Sequence, residues 1–69
     1  MERRRLFEHV LREEQTLAAN VIAWQLVSEE IEERWAGELS PLIGALTEAL
    51  RQVRAVRLEM AARTLRGED

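Results

Sequence analysis

The first 36 residues contain neither glycine nor proline, and their apolar side chains hold a single heptad phase. Phe7, Val10, Leu17, Val21, Trp24, Ile31 and Trp35 all fall on that seam, and only Glu14 and Ser28 interrupt it. A strand reverses its side chains every second residue, so it cannot carry this spacing. A helix of 3.6 residues per turn can, with a slight supercoil. A phase held this long predicts one continuous helix over about residues 2–35.

Punctuation follows in one place. Gly37, Pro41 and Gly44 come close together, and the next glycine is Gly67. Gly37 suits the position just past a helix end, where φ is positive. Ser40-Pro41 reads as an N-cap followed by proline at the first helical position. A turn is therefore predicted at 36–40. A second helix is predicted from 41 to about 66, with a frayed tail at 67–69. Its stripe is Leu42, Leu46, Ala49, Leu50, Val53, Val56, Met60 and Thr64, flanked by Ile43 and Ala61. So short a linker makes the helices antiparallel neighbours. The predicted fold class is all-α: one domain, an antiparallel helical hairpin, joining a second copy in a four-helix bundle.

The expectation of a partner comes from the first helix. A hairpin needs one apolar stripe per helix, and this helix has two. Ala19, Ile22, Ala23 and Leu26 fall opposite Leu17, Val21 and Trp24. These four residues are the predicted interface with the same chain or with another helical protein. The outer side of the second helix is mostly polar, with Glu48, Arg51, Gln52, Glu59, Ala62, Arg63 and Arg66. The first helix is therefore expected to be central in any assembly. A chain of 69 residues without cysteine also has little core of its own and no disulfide to compensate.

Charge divides along the hairpin. At the turn end Glu29, Glu30, Glu32, Glu33, Glu38 and Glu48 stand against Arg34, leaving −5. At the open end nine arginines stand against seven acidic residues, leaving +2; together the halves give the net −3. Two hairpins packed with their turns at opposite ends would attract. The overall negative charge, and glutamates among the arginines, argue against nucleic acid as a partner.

Chemistry is sparsely provided. His9 and Glu13 share a helix face four residues apart, the spacing of two metal ligands, but no second histidine completes a set. No metal, cofactor or catalytic group is predicted, and the chain is not expected to be an enzyme. Glu14 and Arg57 both interrupt apolar seams. With the hairpin centred near Glu38, Arg57 lies opposite Ala19 and within reach of Asn20, or of Glu14 by stretching, while Glu14 itself lies opposite Ala62. Their expected role is to fix helix register, as single polar residues do in coiled coils. Met1-Glu2-Arg3-Arg4-Arg5 is not followed by the apolar run of a secretion signal, and the longest apolar-rich stretch, Leu17–Val27, is too short to span a bilayer. A cytoplasmic location is the expectation.

Trp35-Ala36-Gly37, placed in a turn between two helices, resembles the WxG turn of the WXG100 proteins, small helical hairpins exported by type VII secretion. That resemblance implies a dimer, and export as effector or carrier. The chain departs from the family in lacking any tyrosine for its Tyr-x-x-x-Asp/Glu signal, and in restarting its second helix at Ser40-Pro41.

Overall fold

A computed structural model describes residues 2–67. Two helices, α1 over Arg3–Glu30 and α2 over Glu33–Leu65, pack against each other as a hairpin. The molecule is a rod of 51 × 17 × 15 Å. The all-α hairpin expected from the sequence is the observed fold.

The seam of α1 is the heptad read from the sequence. Phe7, Val10, Glu14, Leu17, Val21, Trp24, Ser28 and Ile31 are all buried or half-buried. Ser28 is tolerated there because its hydroxyl donates to the Gln25 carbonyl at 2.8 Å. The seam of α2 is equally regular: Ala36, Leu39, Ile43, Leu46, Leu50, Val53, Arg57 and Met60. This differs from the predicted stripe. Leu42, Val56 and Thr64 are exposed, and Ala36, Leu39 and Arg57 take their places.

The turn is not at 36–40. The chain reverses at Ile31 and Glu32, which are extended (φ −102°, ψ 167° and φ −59°, ψ 146°). Gly37, Ser40 and Pro41 all lie inside α2, and Gly37 does not have positive φ. Two physical reasons account for the displacement. First, the α2 seam runs in phase from Ala36 through Leu39 to Ile43, so a helix continuing through Pro41 half-buries a further turn of apolar side chains. Second, the earlier break moves Glu32 and Glu33 from the end of the first helix to the start of α2, a gain set against Glu29 and Glu30 left in the last turn of α1. Helix α1 ends on Glu29 and Glu30 with no basic residue in its last turn, while Glu33 opens α2. Carboxylates are unfavourable at a helix C-terminus and favourable at an N-terminus. Trp35 is displaced with the turn. It was expected on the first helix's seam, but it stands in the first turn of α2, 51% exposed, with the Arg34 guanidinium 4.7 Å from its ring centre.

The other end of α2 follows the reading. Gly67 has φ +73° just past the helix, and its N–H donates to the Thr64 carbonyl at 3.1 Å. The remainder of the predicted tail, Glu68 and Asp69, lies outside the described residues.

Candidate interaction surface

Among the described residues only Val21, 7% exposed, is buried. The shape explains why. Two helices have one shared face, and everything else meets water. The accessible surface is 5524 Å². A compact monomer of 8.0 kDa exposes roughly 4,400 Å². The radius of gyration, 15.7 Å, likewise exceeds the roughly 11 Å of a compact 69-residue chain. The surplus surface is on the order of the 800 Å² that each partner contributes to a stable interface.

Part of that surplus is apolar and lies where the sequence placed it. Ala19, Ile22, Ala23 and Leu26 are all exposed on α1, Ile22 and Leu26 at 57% each. They form a stripe on the side of α1 that faces away from α2. A second apolar surface was missed. The residues immediately preceding α2 seam positions are Trp35, Leu42, Ala49 and Val56, and their counterparts on α1 include Leu6 and Val27. Antiparallel helices sharing a seam turn equivalent heptad positions to the same side. These residues therefore line one flank of the hairpin. All but the half-buried Ala49 are exposed. At the open end of this flank, Ala55, Val56, Glu59, Met60 and Arg63 line a shallow apolar groove. The sequence did carry the signal, a row spaced by seven. It was hidden because the α2 phase had been taken from Leu42 instead of Ala36.

The polar element of the seam is a three-residue cluster. Glu14, its side chain only 14% exposed, accepts from the Nε of Arg54 at 3.0 Å and from the Nε of Arg57. Arg57 is itself 27% exposed. The hydrogen bond from Arg57, then that from Arg54, holds the Glu14 carboxyl below the ordinary glutamate range. Sequence reading singled out Glu14 and Arg57 but set them more than a turn apart, in reach of each other only by stretching. Moving the turn to residues 31–32 slides α2 along α1 and brings them together. Arg54 was not anticipated as a second donor.

Several other charged groups make local pairs. His9 and Glu13 stand 4.0 Å apart on an exposed face, and no group of three or more metal-ligating side chains occurs among the described residues. Glu48 pairs with Arg51 on the surface, and that hydrogen bond lowers its pKa to about 2. No helix among the described residues is long and apolar enough to cross a membrane.

Trp35-Ala36-Gly37 is helical, so the tripeptide does not form the turn on which the likeness to the WXG100 proteins rests. No family model matches the chain, and no curated protein or solved structure matches it.

Proposed function

We propose that this chain is a protein–protein interaction module, an assembly, adaptor or chaperone-like subunit, acting in the cytoplasm as a homodimer or a partner-bound hairpin. One observation carries the reading: a helix whose outward side exposes Ile22 and Leu26 beside a seam that buries only Val21. A helix apolar on both sides is ordinarily covered on both. The stripe of Ala19, Ile22, Ala23 and Leu26 is the surface offered to another helical protein. It suits the ridge-and-groove packing of a second helix, with alanines allowing close approach and the larger side chains filling the grooves. No chemistry is asked of the chain in this role. The cluster around Glu14 serves to hold the two helices in register.

The test is the mass of the native species. Recovered from its own cell under gentle conditions, the chain should sediment well above 8.0 kDa. Ile22→Glu should keep its helical spectrum yet lose a helical partner, because it places a charge where the contact would bury it. A folded monomer both in the cell and when purified would sink the reading.

A further inference from the structure

We infer that the flank carrying Leu6, Val27, Trp35, Leu42, Ala49 and Val56 is covered by a second copy of this chain, packed flank to flank about a two-fold axis with the turns at opposite ends. This rests on the reading of the chain as an interaction module and names its partner on this surface.

The argument is one of self-complementarity. A two-fold interface requires that a patch match itself when reversed. On α2 the flank row is Trp35, Leu42, Ala49, Val56 and Arg63, at intervals of seven. Ala49 is its midpoint. Reversal about Ala49 sets the small side chain against itself, where two helices approach closest. It also sets Leu42 against Val56 of the second copy, and Trp35 against Arg63 of the second copy. On α1 the corresponding row is Leu6, Glu13, Asn20 and Val27. Reversal there sets Leu6 against Val27 and Glu13 against Asn20, so apolar meets apolar and polar meets polar. The two rows agree on where the axis runs. The Glu14–Arg54 contact puts the middle of the α1 row within about one turn, roughly 5 Å, of Ala49.

Shape and charge favour the same arrangement. The half-exposed Trp35 of one copy arrives at the groove lined by Val56, Met60 and Arg63 of the other. The acidic turn end, −5, lies over the basic open end, +2, at both ends of the dimer. With the turns together, −5 would face −5. The surplus surface of the hairpin, roughly 1,100 Å² over a compact chain of its mass, is enough for one partner's share of a stable interface. The product is a four-helix bundle in which the α1 stripe of Ile22 and Leu26 still points outward.

Three variants and one distance test this. The purified chain should sediment at twice 8.0 kDa. Leu42→Glu should halve that mass, and adding Val56→Arg, which faces residue 42 across the axis, should restore it. Ile22→Glu should leave the mass at twice 8.0 kDa. The chain has no cysteine, so Glu33→Cys places one spin label per copy beside the turn. In the arrangement described the labels stand roughly 45 Å apart, and with the turns together roughly 20 Å. A monomeric wild type, a dimer indifferent to Leu42→Glu, or the short distance would each overturn the inference. Dissociation by Ile22→Glu alone would overturn it too, while leaving the interaction-module reading intact with the α1 stripe as the self-contact.

Discussion

Glu14 sits where a coiled coil ordinarily has an apolar side chain, and two arginines from the facing helix converge on it. Replacing such a cluster by leucines is often neutral or stabilising, so the role proposed for it is to specify register and not to add stability. A hairpin slipped by one turn would carry Glu14 away from Arg54 and Arg57 and leave an ion half-buried without its partners. The cluster also ties stability to pH. The folded pKa of Glu14 lies below the ordinary value near 4.5. The stabilisation is therefore complete above that ordinary value and is lost as pH falls through the folded pKa. Glu14→Gln should be less stable than wild type near neutrality, and the gap should narrow as pH drops below about 4.5. Urea midpoints measured across that range at one protein concentration check this. A gap that stays constant with pH would mean that Glu14 is not charge-paired in solution. Both Glu14 and Arg57 were legible in the sequence as interruptions of a seam. Their pairing was legible only as a stretched contact, since it depends on the turn, and displacing a turn shifts every cross-helix contact along the seam.

At the scale of the helices, the α1 seam was readable because six apolar residues, Phe7 to Ile31, repeat one phase. The break at Ile31–Glu32 was not, because nothing there is glycine, proline or asparagine. The strongest local signal, Ser40-Pro41 after Gly37, pointed elsewhere and was overridden by the seam running through it. Proline within a helix leaves the carbonyl four residues earlier without its donor, here that of Gly37. The sequence reading and the structure differ in sign for substitutions here. Were Gly37 at positive φ, a side chain would be strained. In a helix, with nothing within 4 Å of an added Cβ, Gly37→Ala should stabilise by roughly 0.5–1 kcal/mol. Pro41→Ala should stabilise further, by up to about 3 kcal/mol, by restoring the missing bond. Denaturant midpoints decide it. A destabilising Gly37→Ala would return the turn to the place where the punctuation put it.

The molecule as a whole is a rod with too much surface for its mass, and its helices owe their persistence to what they are packed against. Isolated helices in water are marginal even at lengths near 15 residues, and one half-buried seam adds little to that. The proposed dimer would couple folding to association, and the thermal midpoint should then rise with protein concentration. Salt gives the sharper test, because its sign depends on orientation. With turns at opposite ends, each −5 half lies across the bundle from a +2 half, at a separation comparable to the Debye length of roughly 8 Å at physiological ionic strength. Screening then removes an attraction. The dimer dissociation constant should increase as salt rises from about 0.05 M to about 0.5 M. With turns together, screening would instead remove the repulsion between two acidic ends, and the dimer would tighten over the same range. Charge-neutralising changes at the turn extend the argument, because Glu29, Glu30 and Glu33 are exposed and outside the seam. Converting them to glutamine should weaken an opposed dimer at low salt and flatten its salt dependence. Dilution followed by sedimentation at two salt concentrations distinguishes these cases, and a dimer that tightens with salt would exclude the opposed arrangement.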